Sequence, residues 1–247
     1  MKTIVCVKGI SIPKIGNNNI DDEYKVGTKD MYALKTALAL KKKYSSKVEI
    51  ICMAPSSVCG VLKQLYIYDI DQIYLISDRV FAGADTFITS FVLHETIKKI
   101  GMADIILCGK SSDDSGTAQV GPSLAERLNC QLISDMSSVE GIYDHNIKCE
   151  SNSENVKYLI ETRLPIVGTI DCPPKDRRYP SLKNIIGCKK DVTLLSAEDL
   201  GISKSQIQSK TKVLKLFPYE KEKKGEIIQG DMSDKVSRFF GIIKLYR

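Results

Sequence analysis

Short β-rich runs alternate with helical segments through the first half of the chain, and this alternation limits the fold more tightly than any other feature. Thr3–Lys8 and Lys47–Met53 are apolar enough for buried strands, and Gln72–Ile76 and Ala103–Cys108 add two more strand candidates. Between them lie Asp30–Tyr44, Ser56–Tyr68 and Ala84–Ile100. In the first of these, Met31, Leu34, Ala37 and Leu38 recur at helical spacing, with Asp30 at the cap position; in the third, Phe91 and Ile97 share the apolar side. Strands separated by helices of this length predict βαβ crossovers. The expected class is α/β, a mostly parallel sheet with helices on both faces.

The pattern then changes. Gln131–Ser134, Val139–Ile147 and Val156–Thr162 read as strands joined by polar turns at Tyr143-Asp144-His145-Asn146 and at Glu150–Asn155, which predicts a mixed or antiparallel annex. Cys172 to Pro180 contains three prolines and cannot form a regular element. From about Lys190 to Glu226 the periodicity is weak, as in an extended arm, and Ser233–Tyr246 recovers helical spacing through Val236, Phe239, Phe240, Ile243 and Leu245. The expected division is an α/β domain over residues 1–190 and an arm with a terminal helix, docking on a partner, over 191–247.

Composition excludes several classes. The 247 residues carry 36 basic and 30 acidic side chains, a net charge of +6 supplied mostly by lysine, without the dense arginine-rich face of nucleic-acid binders. No apolar run approaches the roughly 18 residues of a membrane span, and Met1–Lys8 reads as a strand rather than a leader, so a soluble cytoplasmic protein is expected. Eight cysteines stand without CxxC spacing, and only His94 and His145 could complete a ligand set, so reduced structural thiols are expected. The absence of a nucleophile elbow and the scarcity of histidine disfavour a hydrolase.

Three segments carry chemistry. Cys108 to Pro122 follows a strand and precedes the helical stretch Val120–Leu128; its small residues and hydroxyls suit either an anion at the helix N-terminus or an ordinary polar loop. Neither GxGxxG nor GxxxxGK[ST] occurs in it. Ser77 to Thr86 is a second strand-to-helix junction, where Asp85 and Thr86 can cap a helix and Arg79 can offer a fixed charge. The third, Arg177-Arg178-Tyr179-Pro180-Ser181-Leu182 through Ile186, suits either a docking surface or a structural loop.

At these residues the chain resembles the β subunit of electron-transfer flavoproteins over nearly its whole length. Val5-Cys6-Val7-Lys8 is similar to the family's opening strand and lysine, and Asp30–Lys41 to its first helix. Asp114–Ala125, read D-S-G-T-A-Q-V-G-P-S-L-A, resembles the nucleotide loop D-G-D-T-A-Q-V-G-P-x-L-A. Arg178–Leu182 with Lys189-Lys190 resembles the recognition loop, and Asp78–Thr86 resembles the D-R-x-F-A-G-A-D-T segment of the electron-bifurcating branch. Gly27-Thr28 replaces the family's frequent Asn-Pro, and Gly116 stands where a second aspartate is usual.

The resemblance implies a Rossmann-like fold, an extended C-terminal arm ending in a helix, and a heterodimer with an FAD-carrying α subunit. It further implies FAD, with AMP the alternative, and NADH as a possible donor whose electrons are divided between acceptors. The implied cofactor-binding residues are Cys6, Met53, Arg79, Phe81, Ala82, Gly83, Asp85, Thr86, Gly109, Lys110, Asp114, Ser115, Gly116, Thr117, Ala118, Gln119 and Val120. The implied partner-binding residues are Glu150, Arg178, Tyr179, Leu182 and Ile185, facing the α subunit or an acyl-CoA or related dehydrogenase. Such a chain is an electron-carrier subunit rather than a self-sufficient enzyme. A stand-alone adenine-nucleotide sensor of the stress-protein type is the alternative from another class.

Overall fold

Continuous apolar runs such as Ile4-Val5-Cys6-Val7 and Ile105-Ile106-Leu107-Cys108 fit strands buried on both faces, because alternation with polar residues would leave one face wet. In the computed structural model, which describes residues 1–12, 23–153, 156–174, 180–187, 190–211, 214, 225 and 227–245, they form such strands. The elements in chain order are β1 (Lys2–Val7), a hairpin of β2 (Gly9–Ile12) and β3 (Glu23–Val26), α1 (Thr28–Tyr44), β4 (Lys47–Met53), α2 (Cys59–Gln64) and β5 (Gln72–Ile76). There follow α3 (Thr86–Ile100), β6 (Ile105–Gly109), α4 (Val120–Leu128), β7 (Gln131–Ile133), β8 (Met136–Tyr143), β9 (Asn146–Ser153), β10 (Val156–Arg163) and β11 (Ile166–Ile170). The last are α5 (Leu182–Gly187), β12 (Thr193–Leu195) and α6 (Met232–Leu245).

Seven of these strands make one sheet in the order β12-β5-β4-β1-β6-β11-β7, and every neighbouring pair in it runs parallel. Alternate residues face opposite layers. Val5, Ile50, Leu75 and Leu107 pack against Leu34, Ala37 and Leu38 of α1 and against Ile147 and Cys149 of the smaller sheet. Ile4, Cys6, Ile51, Ile106 and Cys108 pack against Ile88, Val92 and Ile97 of α3, Leu124 of α4, and Leu195 and Ile202. Lys2 closes the amino edge: its ammonium donates to the carbonyls of Ile100 and Gly101 at 3.0 and 2.9 Å, the carbonyl end of α3. It also pairs with Glu49 at 2.9 Å.

The chain leaves β1 towards β4 and β5 on one side, then crosses to β6, β11 and β7 on the other. The crossover opens a crevice between the carboxyl ends of β1 and β6, where parallel α/β sheets hold ligands.

Several local expectations change. Asp30 is not the cap of α1; Gly27 holds that position and Asp30 sits within the first turn, buried. The Ser56–Tyr68 stretch is a short α2 between two single turns of 3₁₀ helix, at Ser56–Val58 and Leu65–Tyr68. Gln131–Ile133 does not belong to the annex: β7 pairs parallel with β11 at an edge of the main sheet. Val139–Ile147 spans two strands that meet at the expected Tyr143–Asn146 turn, where Asp144 and His145 have positive φ. Glu150 lies inside β9, not in a turn. The β8–β10 sheet is antiparallel throughout.

Thr193–Leu195 of the expected arm pairs with β5 as an edge strand, and the first compact unit runs to Lys212. The second unit, Val213–Arg247, contains α6, whose first turn is capped by Asp231 accepting from the Asp234 amide at 2.9 Å. Val236, Phe239, Phe240 and Ile243 on that helix are exposed. Among the described residues no helix is long and apolar enough to cross a membrane.

Candidate functional site

The loops leaving β1, β4, β5 and β6 surround a cavity of about 1240 Å³ at the carboxyl edge of the sheet. Cys6, Met53, Ile76 and Cys108 give it an apolar wall at the strand ends. Burial holds Cys6 in its thiol form: the hydrogen bond with Cys108, desolvation and neighbouring Cys108 all push its pKa well up. The thiols are packing groups here, not nucleophiles.

Asp30 closes the inner end. Its Oδ2 accepts from the Lys8 amide at 2.8 Å and its Oδ1 from the Gly109 amide at 3.1 Å, so one carboxylate joins the ends of β1 and β6 at the crevice. Desolvation raises its pKa to about 6 against the pull of those two amides. Gly109 is required there, since a Cβ would stand 2.9 Å from the Asp30 backbone nitrogen.

The β6–α4 loop is pinned from outside. Lys8 pairs with Asp114 at 2.6 Å, and Asp113 takes the Thr28 hydroxyl at 3.2 Å. Desolvation pushes Asp114 up, but Lys8 and Ser112 more than compensate and hold its carboxyl below the ordinary range. Lys110 pairs with Asp135 at 2.9 Å, which holds its ammonium above the ordinary range. Gly116 at φ 64° and Ala118 at φ 56° turn the backbone; an alanine there carries strain of about 1–3 kcal/mol, a cost found mainly where geometry serves a site. Across the mouth, the Thr86 hydroxyl donates to Gln119 Oε1 at 2.7 Å, which brings the N-termini of α3 and α4 together.

The opposite lip is the Asp78–Asp85 loop. Gly83 turns at φ 74° with open space where a side chain would stand. Arg79 is exposed and its guanidinium has no partner among the described residues.

Of the residues implied to hold a cofactor, the structure brings Cys6, Met53, Arg79, Phe81, Ala82, Gly83, Asp85, Thr86, Gly109, Lys110, Ser115, Thr117, Gln119 and Val120 to this cavity. Asp114, Gly116 and Ala118 do not line it; Asp114 faces Lys8, and the other two shape the loop. Sequence reasoning missed Lys8 and Asp30 as lining residues, and also Leu194–Ser196, Lys210 and Thr211. Those last residues lie more than a hundred positions from the loop they flank, and no local pattern announces them.

Leu182 opens α5 and is 77% exposed, with Ile185 and Ile186 exposed beside it. Glu150 accepts from Ser138 at 3.1 Å on the small sheet. Arg178 and Tyr179 lie outside the described residues.

A parallel sheet with a switch-point cleft framed by two helix N-termini places the protein among α/β folds that bind ligands at their carboxyl edge. Comparison with known proteins narrows this. Residues 19–181 match the electron transfer flavoprotein domain. The electron transfer flavoprotein subunit beta of Thermoanaerobacterium thermosaccharolyticum is 34% identical over 212 residues, 84% of this chain and 81% of that protein. The subunit CarD of the caffeyl-CoA reductase-Etf complex of Acetobacterium woodii is 30% identical over 254 residues, 96% of this chain and 95% of that protein. The subunit beta of Clostridium acetobutylicum is 32% identical over 203 residues, covering 81% and 78%. The chain belongs to the electron transfer flavoprotein family, and it is of the β-subunit type. Its function is electron transfer of that type.

Proposed function

We propose that the chain is the β half of a heterodimer, that its cleft holds FAD, with AMP the alternative, and that electrons pass between NADH or a dehydrogenase and a flavin on the α subunit. One observation carries the reading: the N-termini of α3 and α4 meet at the mouth of the cavity through the 2.7 Å Thr86–Gln119 bond. Helices of fifteen and nine residues end there, and their free amides and dipole ends favour a phosphate group.

The residues present fit such a group. Thr117 and Gln119 add side-chain donors beside those amides, and the guanidinium of Arg79 adds a charge with no described partner. A volume of about 1240 Å³ exceeds the roughly 300–1,000 Å³ of ordinary ligand pockets, which favours a dinucleotide over AMP. Met53, Ile76 and Leu194 supply an apolar wall for a flat ring system. When bound, a flavin supplies the exchange between two-electron and one-electron transfer. The protein's share is to anchor phosphate with Arg79 and the helix amides, to accept from a ligand donor with Asp30, and to keep water from the apolar wall with Met53 and Phe81.

The resemblance of Asp78–Thr86 to the bifurcating branch supports NADH as donor and division of its electron pair. The 30% identity to a subunit of a caffeyl-CoA reductase-Etf complex supports assembly with partner subunits. The exposed apolar residues of α6 suit docking on the α subunit, and Leu182 with Ile185 and Glu150 suits docking on that subunit or an acyl-CoA or related dehydrogenase. The proposed compartment is the cytoplasm. The sensor alternative gains nothing from the relatives and is not favoured.

The test is to denature the native purified complex and identify what it releases. FAD in the β cleft is expected; a full-strength complex with nothing in that cleft sinks the reading. Thr117→Val with Gln119→Ala should weaken nucleotide binding by about thirtyfold, since each removes a hydrogen bond of about 1 kcal/mol. Leu182→Ala should slow electron exchange with the dehydrogenase at unchanged cofactor content, as stopped-flow absorbance would measure.

A further inference from the structure

We propose that Asp85 is a positioning residue whose carboxylate ties the root of the C-terminal arm to the cleft, so that a nucleotide seated on the Asp78–Thr86 lip tightens that root. The coupling rests on the nucleotide reading above; the anchoring does not.

A helix cap needs one carboxylate oxygen, and Asp85 uses one for that purpose: Oδ1 accepts from the Ile88 amide at 2.9 Å. The other oxygen is spent on a segment far along the chain. Oδ2 accepts from the Lys210 amide at 2.6 Å and from the Thr211 amide at 3.2 Å. The Asp85 amide in turn donates to the Ser209 hydroxyl at 3.3 Å, and that hydroxyl donates to the Gly83 carbonyl at 3.3 Å. The Lys210 ammonium lies 5.6 Å from the centre of the Phe87 ring, a cation–π contact.

The same division recurs at the other end of the lip. Asp78 Oδ1 accepts locally from the Val80 amide at 3.1 Å, while its Oδ2 accepts from the Ala197 amide at 3.2 Å. The Ser77 amide donates to the Leu195 carbonyl at 2.9 Å. Two carboxylates thus stitch residues 195–211 to the loop that forms one lip of the cavity. Desolvation pushes the Asp85 carboxyl up, but the amides of Ile88, Thr211 and Lys210 outweigh it and hold the group ionised below the ordinary range.

The stitched segment is also a wall of the cavity, because Leu194, Ser196, Asp199, Lys210 and Thr211 line it with Arg79 and with Phe81 through Phe87. A ligand resting on both layers binds their joined arrangement better than their separated one, and linkage makes the effect reciprocal. The first compact unit ends one residue beyond Thr211. Occupancy of the cleft is thereby felt where the arm begins.

Hydrogen exchange on the full chain tests this, with ADP as the probe because it is the moiety FAD carries. Asp85→Asn keeps a capping oxygen, since asparagine caps as well as aspartate, but loses the charged acceptor for Lys210 and Thr211. Without ligand, exchange at residues 210–211 should accelerate about tenfold in Asp85→Asn, with the first turn of α3 still protected. Asp85→Ala should lose protection at both places. With ADP, wild type should slow about tenfold at 210–211 while Asp85→Asn does not, the N-terminus of α4 being protected in both. Equal exchange at 210–211 in wild type and Asp85→Asn without ligand overturns the anchoring. Protection of α4 by ADP with no change at 210–211 overturns the coupling and leaves the nucleotide reading intact. Protection by ADP nowhere removes that reading, and the coupling with it.

Discussion

Replacing Gly109 with alanine is expected to cost about 3 kcal/mol of folding stability, a large value for adding one methyl group. The new Cβ would stand 2.9 Å from the Asp30 backbone nitrogen and 3.0 Å from the Lys29 carbonyl carbon. Both are backbone atoms inside α1, so even if the still nearer Asp30 carboxylate swings aside, losing its bond from the Gly109 amide, the helix itself must retreat from β6. Its inner face, with Leu34, Ala37 and Leu38, is buried against the sheet, and a retreat opens that layer. Urea denaturation of the full chain measures the change. Gly60→Ala is the control, because nothing lies within 4 Å of a Cβ there and an alanine within a helix should gain about 0.5–1 kcal/mol. A Gly109→Ala loss below about 1 kcal/mol would mean that the close approach of α1 to β6 is not what that position demands. Retained nucleotide should fall in the same variant, since the displaced atoms line the cleft.

What could be read before the fold was known follows a physical division. Buried parallel strands are legible because burial on both faces demands continuous apolar runs: Lys47–Met53 and Gln72–Ile76 have the bounds their residues suggest. The same holds for Val120–Leu128, where Leu124 and Leu128 set a helical face. Solvent-facing strands leave weaker traces. β9 continues through Glu150, Asn152 and Ser153, residues that read as a turn, because their partners across β8 and β10 hold them extended. Gln131–Ile133 is only three residues long, too short for any period to show which sheet it joins.

The site divides in the same way. Two loops at strand ends are visible as local segments, Asp78–Thr86 and Gly109–Val120, and both reach the cleft. What brings them a third wall is contact over long separation: Lys210 finds Asp85 across 125 positions. Asp30 shows a different limit. An aspartate beside a helix start reads as a cap, and only the fold reveals that its acceptors serve β1 and β6 instead.

That position makes Asp30 costly, and the cost has a pH signature. Its native pKa of about 6 lies above the ordinary 3.8, chiefly through desolvation, with the Lys8 and Gly109 amides opposing and the Asp113 charge adding to it. The native state therefore holds the proton more tightly than the unfolded chain between those two values. Stability from this group is fully present below pH 3.8 and is lost as pH rises through about 6. At 1.36 kcal/mol per pH unit, the gap corresponds to about 3 kcal/mol. Asp30→Asn removes the titration but leaves one acceptor oxygen for two backbone amides, so either the Lys8 or the Gly109 amide meets an Nδ2 donor, at a cost that does not vary with pH. Relative to wild type, the variant's stability should rise by about 3 kcal/mol between pH 4 and pH 7, from a baseline lowered by that constant cost, measured by urea denaturation at each pH. A constant difference across that range would show that Asp30 titrates alike in the folded and unfolded chain. A buried charge kept at such expense beside a cleft makes Asp30 a candidate for a ligand contact in addition to its join of β1 and β6. Asp30→Asn should accordingly release less nucleotide on denaturation than wild type, since a charge that lines the cleft has been removed. An undiminished yield would make the join between β1 and β6 the whole of its purpose.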